Sequence, residues 1–465
     1  LLYLIVKILT ILKLKNLPPM KKTFLILCVA TSLSSLAQEH FAGISTSSRG
    51  GILNASMNPA ELSNLKSKYE VGVLSASFAL SNNQLTFDEI INSDNFEEEL
   101  FKDNKNIDLR FDAEVYGPSF AMKIEKWAFS FTTKAYAKVN ADDINSTFGN
   151  AVTNNQLNSL TPFDFIENGS NQRLNGTTWG EIGFGVAREI YQDENHKFSA
   201  GATLKLLFPG SYANLGVDRF RGTLVQTANG VGLTDATAGV NIAYSGKLAD
   251  DFTETSNYTK SLFGNLNGFA VDLGVNYQLK DQTEGYRINA GVSFKNMGSM
   301  TFKSGNNSST NYELNIPNGA VLELEEFNNV ESLEDIEDIL LASGYLNAVP
   351  NNRDIKVNLP STFVAYADVK VISDFFVTVY TQQKLKEDAD NDQITTQNVF
   401  SVTPRYSTNN FEVYAPLASN EISGFTAGLG FRYGGFFIGS SSAFTGLLGD
   451  GEQADVYLGF RIGIQ

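Results

Sequence analysis

Few side chains in this sequence could carry chemistry. It holds two histidines, His40 and His196, and one cysteine, Cys28. A hydrolase of the serine–histidine kind needs an imidazole fixed beside its nucleophile. His196 instead falls in a polar run, Asp193-Glu194-Asn195-His196-Lys197, which reads as a solvated turn. Zinc and copper sites draw on His and Cys, and the supply is too small for one. Asp388, Asp390 and Asp392 alternate like the opening of a calcium loop. Gln393, however, stands where that loop needs Gly, and Val399 where it needs Glu. An acidic, solvated outer loop is the expectation there. Gly183/Gly185 and Gly428/Gly430 precede no strand-to-helix step, so they are not phosphate loops. On strands such glycines relieve crowding or permit bending. No cofactor, no metal and no enzymatic activity are expected.

What remains are charges spaced along strands, and the strands must position them. Period-two alternation dominates the chain, the mark of a strand with two unlike faces. Phe269, Val271, Leu273, Val275, Tyr277 and Leu279 share one face, against Ala270, Asp272, Gly274, Asn276, Gln278 and Lys280. Tyr286, Ile288, Ala290, Val292 and Phe294 oppose Arg287, Asn289, Gly291, Ser293 and Lys295. At the end of the chain Val456, Leu458, Phe460, Ile462 and Ile464 oppose Asp455, Tyr457, Gly459, Arg461 and Gly463. Strands of about ten residues suit a tilted bilayer crossing. The apolar faces would then meet lipid and the polar faces a lumen. By this parity Asp272, Lys280, Arg287, Lys295, Asp368, Lys370, Arg432, Asp455 and Arg461 point inward. Their mixed signs suggest ion pairs bracing the interior; a selective pore would show one dominant sign.

Connections alternate short and long. Tight turns are expected at Glu125-Lys126, Tyr191–Asn195, Asp281–Gly285, Ile372–Asp374, Ser407–Asn410 and Gly434-Gly435. Long polar loops are expected at 81–106, 140–175, 246–267, 299–355 and 385–396. Ser332-Leu333-Glu334-Asp335 resembles a helix capping box, with Leu333, Ile336, Ile339 and Leu340 as an apolar stripe expected to pack back on the rim. Phe87–Phe101 shows a looser helical pattern. The fold class is all-β: a transmembrane antiparallel β-barrel of 14 to 16 strands, with the last strand closing on the first near Tyr69–Leu80.

The N-terminus reads as export machinery. Met20-Lys21-Lys22, the apolar Phe24–Leu36 and Ser35-Leu36-Ala37 form a signal peptide over 20–37, cleaved after Ala37. Residues 1–19 then read as an over-extended start. The cut removes Lys7, Lys13, Lys15, Lys21 and Lys22, so the 35 basic residues fall to 30 against 51 acidic ones, a net charge of −21. That acidity argues against a nucleic-acid partner. Residues 38–66 form an N-terminal segment ahead of a barrel at 67–465.

The segment after cleavage runs from Phe41-Ala42-Gly43 to Asn58-Pro59-Ala60-Glu61-Leu62. An Asn-Pro-Ala element soon after the mature N-terminus resembles FadL-type long-chain fatty-acid transporter barrels and their Bacteroidota relatives, PorV-type barrels among them. Gly268–Gly274, Ala290–Gly298 and Gly428–Gly439 are similar to strands of those relatives and of a Bacteroidota outer-membrane family of unknown function. The resemblance implies a 14-stranded barrel of the outer membrane whose N-terminal segment, with Asn58, Pro59 and Ala60, folds into the lumen as a hatch. It implies uptake or diffusion of small hydrophobic molecules. The alternative is a PorV-like scaffold with a closed lumen, binding protein partners through its outer loops. Membrane lipid is the expected partner in either case.

Overall fold

The computed structural model describes residues 40–464, apart from 94–98, 104, 158–160, 252–256, 258–262, 282–284, 304, 329, 350–353 and 450. The expected over-extended start at 1–19, the signal peptide with Cys28, and Gln465 lie outside the described residues.

Alternating faces do close into a ring of 14 antiparallel strands. In chain order these are β1 (Tyr69–Asn82), β2 (107–124), β3 (Trp127–Ile144), β4 (Gln172–Gln192), β5 (His196–Gln226), β6 (231–245 and 268–280) and β7 (286–302 and 308–316). They continue with β8 (346–349, 355–358 and 362–372), β9 (Phe375–Lys384), β10 (Val399–Ser407), β11 (411–420), β12 (424–433), β13 (Phe436–Ser440) and β14 (Gln453–Ile464). Neighbours in sequence pair in space, and β14 shuts the ring on β1 from Tyr69↔Ile464 to Ser81↔Gln453. Closure leaves no free edge, as a wall in lipid requires. On the outer face Phe269, Leu273 and Val275 are each about half exposed, as are Leu458, Phe460 and Ile462.

The six tight turns expected between strands all fall at one end, which also holds the start of β1 and the end of β14. The other end departs from expectation. Residues 246–267 are not a rim loop: they interrupt β6 partway along, between 245 and 268. Their Phe263 ring seats on the outer wall, where a Cβ on Gly180 would meet it at 2.1 Å. Much of 299–355 is strand, because Met300, Phe302, Tyr312, Leu314 and Ile316 alternate and bury. Two connections at this end are short, 227–230 and 421–423.

The wall is uneven. β5 runs 31 residues and β13 only 5, against the ~9–11 that cross a bilayer. The tall side, β4 to β8, therefore stands well clear of the lipid. There the outward side chains Ala213, Val240, Ile242, Tyr312 and Leu314 lie in one apolar cluster with residues of the connecting segments. Three short helices supply part of that cover: α1 (Phe87–Asn92), α2 (Ser146–Asn154) and α3 (Leu333–Ala342). α3 starts on the expected capping box, Ser332 accepting from the Asp335 amide while Asp335 accepts from Ser332. Its Leu333 and Leu340 are buried in the cluster, so the apolar stripe packs back on the wall.

Candidate functional site

The ring encloses residues 40–66, and their geometry follows from a few backbone choices. Phe41, Gly43 and Gly51 take positive φ, which folds the chain tightly ahead of a helical turn at Ile52–Met57. Asn58 is extended, and Pro59 sits at the first position of a 3₁₀ turn, Pro59–Asn64, where its missing N–H costs nothing. The Asn58 Oδ1 caps that turn, accepting from the Ala60 amide at 3.0 Å.

The same Asn58 side chain reaches the wall. Its Nδ2 donates to the Val275 carbonyl at 2.9 Å and lies 3.3 Å from the Tyr366 hydroxyl. Three inward glycines make room for this turn. A Cβ on Gly274 would fall 2.0 Å from Asn58 Oδ1, and one on Gly291 2.6 Å from its Nδ2. One on Gly201 would meet the Pro59–Ala60 backbone at 2.5 Å.

Glu61 gathers the densest set of contacts. Asn276 and Asn289 each donate to its Oε1 at 2.9 Å, Tyr366 donates to the same oxygen, and Asn64 donates to Oε2 at 2.7 Å. A buried carboxylate is tolerable only with such a shell of donors. Elsewhere Ile52 donates to Glu70, Ser293 to the Met57 carbonyl, Tyr457 to the Ala42 carbonyl and Ser47 to Glu412. Arg405 donates to the Gly43 carbonyl at 2.8 Å. The segment is thus tied to most of the ring.

His40 lies 2.9 Å from Ser77 through Nδ1 and 3.2 Å from Asp112 through Nε2. A Ser-His-Asp set seen this way invites a catalytic reading, but Asp112 also takes Lys138, and Ser77 does not line the adjacent cavity. Burial opposes the charged imidazole, while Asp112 and Glu114 favour it and Lys138 opposes it; the outcome is a pKa raised above 6.5. The trio is a strut between the segment, β1 and β2. His196, expected in a solvated turn, opens β5 and stacks on Tyr277, 2.9 Å from its hydroxyl.

Of the charges expected inward, Asp272 is buried and bonds Lys205 at 2.8 Å, and Lys295 shares a cavity wall with that lysine. Arg432 is buried against Glu412, and Arg461 pairs with Glu70 at 2.8 Å. Asp368 joins Arg405 at 3.3 Å, and Lys370 joins Asp281 at 2.5 Å. Lys280 donates to the Asp193 carbonyl at the short-turn rim. Asp455 is half-buried and accepts from the Ser441 amide at 2.8 Å, fixing the start of the β13–β14 connection. Arg287 is a correction: it is exposed, because a bulge between Tyr286 and Ile288 shifts the parity. Tyr286 turns inward in its place and donates to Asp368 at 2.5 Å.

The expected solvated loop at 385–396 is corrected in its second half: 385–390 stay largely exposed, while Gln393, Ile394, Thr395 and Thr396 are buried inside the barrel. Arg173, fully buried, donates to the carbonyls of Asp388 (2.7 Å) and Gln393 (3.0 Å). Arg110 donates to Thr395, and Tyr212 to the Asn391 carbonyl. A one-pair parallel bridge, Asn358↔Gln393, fastens it to β8. The acidic run thus turns the Asp388 carbonyl to Arg173 and the Asn391 carbonyl to Tyr212.

Two cavities flank the N-terminal segment. One of about 590 Å³ opens at the short-turn end, with Ser48, Arg49, Asn54, Glu61 and Asn64 in its wall. The other, about 90 Å³, lies inside the lumen against His40, Phe41, Ser45, Ser56 and Met57, with Thr396 of the inward loop on its far side. Aromatic rings (Tyr116, Tyr136, Trp179, Tyr380) and charges (Glu114, Lys134, Glu181) line it together.

Sequence reasoning singled out Asn58 to Ala60 but passed over Glu61, Tyr366, Arg405 and Arg173. Strand parity could have flagged the two arginines as inward charges and Tyr366 as sharing the face of Asp368; Glu61, on no strand, carries no such signal.

A model for a family of unknown function, DUF5723, matches residues 59–441. No curated protein matches the chain. Among solved structures, the Ralstonia pickettii toluene transporter TbuX is 10% identical, with 89% of this chain and 94% of that one covered, at a TM-score of 0.41. The P. putida toluene transporter TodX is 10% identical over 88% and 92%, at 0.40. A Pseudomonas aeruginosa FadL homologue is 9% identical over 92% and 98%, at 0.30. At such scores the fold rests on the strand pairing itself.

Proposed function

We propose that this chain, which belongs to the DUF5723 family of unknown function, is an outer-membrane channel for small molecules, closed at rest by residues 40–66 and by the loop at 385–396. In this reading the short-turn end faces the periplasm and the tall wall the outside.

One observation carries it. The N-terminal segment is the partition between the 590 Å³ vestibule and the 90 Å³ inner cavity, contributing wall residues to each. Its anchors combine the hydrogen bonds above, which water entering from the vestibule can replace at modest net cost, with apolar packing of Phe41, Ile44 and Leu53 against Tyr116, Tyr414 and Tyr457 and of Ile52, Leu62 and Leu65 against Ala121, Ala128 and Ala187. Rings and charges side by side in the inner cavity suit an amphipathic solute, an apolar body with a polar head.

Liposome swelling and planar-bilayer conductance test this on the mature chain with and without residues 38–66. Near silence from the first and clear permeation from the second is the expected result, with heat-modifiable gel mobility confirming that both barrels fold. Silence from both would refute a channel.

A further inference from the structure

The vestibule has an electrostatic character of its own. Six cations, Arg49, Lys66, Lys123, Lys197, Arg432 and Arg461, stand in its wall against two carboxylates, Glu61 and Glu70. The chain as a whole carries 51 acidic against 35 basic residues. A cationic concavity in so acidic a protein is a local arrangement, and low-dielectric walls focus its field.

Two of these cations converge. Lys123 and Lys197 both donate to the Ser63 carbonyl, at 2.7 and 2.9 Å. Two ammonium groups sharing one neutral oxygen repel each other. The nearest carboxylate bonded to either is Glu189, 3.6 Å from Lys197. Arg461, separated from the strand of Lys123 only by β1, spends Nη1 on Glu70 and Nη2 on the Arg49 carbonyl, while its Nε is buried with no hydrogen-bond partner. Arg432 is matched by Glu412 and Arg461 by Glu70, so a positive excess lies with the lysine pair, two ammonium groups against Glu189.

We propose that the vestibule is a binding site for a small oxyanion of the carboxylate or phosphate type, seated by Lys123 and Lys197, with Arg461 in the same wall. An oxyanion offers several acceptor oxygens where Ser63 offers one, and charge-assisted bonds to ammonium are the stronger kind. The cavity's 590 Å³ is in the range of small-molecule sites, roughly 300–1,000 Å³. Binding stands whether or not the barrel conducts. A corollary, which does rest on the closure reading, is that the anion takes the donors now holding Ser63 and loosens the Pro59–Asn64 turn.

The test is isothermal titration of the full chain, folded in a neutral detergent, with inorganic phosphate, with succinate, and with chloride at equal ionic strength. Saturable binding of phosphate or succinate is expected, weakened at least tenfold in Lys123→Gln/Lys197→Gln and unchanged in Lys303→Gln at the far end. The stronger of the two oxyanions identifies the headgroup. On the unaltered protein the winning anion should also protect Lys123 and Lys197, but not Lys303, from acetylation read by mass spectrometry. Heat no greater than chloride's, or a double variant that binds like the parent, or unprotected lysines, would overturn the site. Failure of the channel would show in permeation alone and leave these readings intact.

Discussion

Replacing Glu61 with Ala should release the N-terminal segment while leaving the barrel standing. Glu61 takes donors from Asn276, Asn289, Tyr366 and Asn64, and three of these are wall residues. A hydrogen bond to a charged group contributes about 1.5–3 kcal/mol net. The three wall contacts share one oxygen and are not additive, and vestibule water can serve the stranded amides. A total of about 3 kcal/mol is the sensible figure, two such bonds at the lower value. At 1.4 kcal/mol per decade, that multiplies the undocked population about 150-fold. None of the ring's backbone ladders involves the Glu61 side chain, so heat-modifiable mobility should not change. Hydrogen exchange of the amides from 52 to 64 reads the effect directly, since their protection tracks the opening equilibrium. Glu61→Gln, which keeps one acceptor oxygen but no charge, should fall between. If Glu61→Ala exchanges within threefold of the parent, the carboxylate is not the anchor and the docking argument built on it is wrong.

Gly201→Val should expel the same segment by sterics alone, because even a Cβ there stands 2.5 Å from the Pro59–Ala60 backbone; bilayer recordings should show openings that the parent lacks. Arg173→Ala should free the inward loop by removing its bonds to Asp388 and Gln393, read as faster proteolysis at Lys384, which the parent ties to Asp388 and Glu421. It should raise conductance only when the segment is also absent. Docking near His40 should weaken as pH rises. The folded pKa lies above 6.5, so the stabilisation of the charged imidazole is complete below 6.5 and lost as pH climbs through the folded value. Exchange at residues 41–50 between pH 6 and 8 should show this, and His40→Gln should flatten the dependence.

The ring was legible because lipid imposes a rule that local sequence must obey. Every crossing strand needs an apolar outer face, so Phe269 to Leu279 and Val456 to Ile464 announce both strand and orientation. Tight turns were legible for a similar reason, since a short chain of polar residues between two such runs has few other uses. Parity failed where the backbone slipped. The bulge at Tyr286/Ile288 exchanges Tyr286 for Arg287, and no residue type there signals it. The inward loop was illegible because its anchors, Arg173, Arg110 and Tyr212, lie far away in sequence. Taken alone, Asp388 to Asp392 has every property of a solvated loop.

The two obstructions differ in kind, and the difference sets an order. The N-terminal segment faces the open vestibule along Arg49, Asn54, Glu61 and Asn64, so water can replace its bonds one at a time. The loop does not line that vestibule, and Arg173, which grips two of its carbonyls, is fully buried, with Gln393 buried at its bridge to β8. Each closure covers a buried guanidinium, Arg173 under the loop and Arg405 at the Gly43 carbonyl, so access from the vestibule, and not the cost of burial, sets the order. Once the segment leaves, its wall of the inner cavity at His40, Phe41 and Met57 goes with it, and water gains the side of the loop marked by Thr396. Opening therefore proceeds from the short-turn end outward, and a signal that acts on the barrel from the opposite end alone meets the closure that the vestibule does not reach.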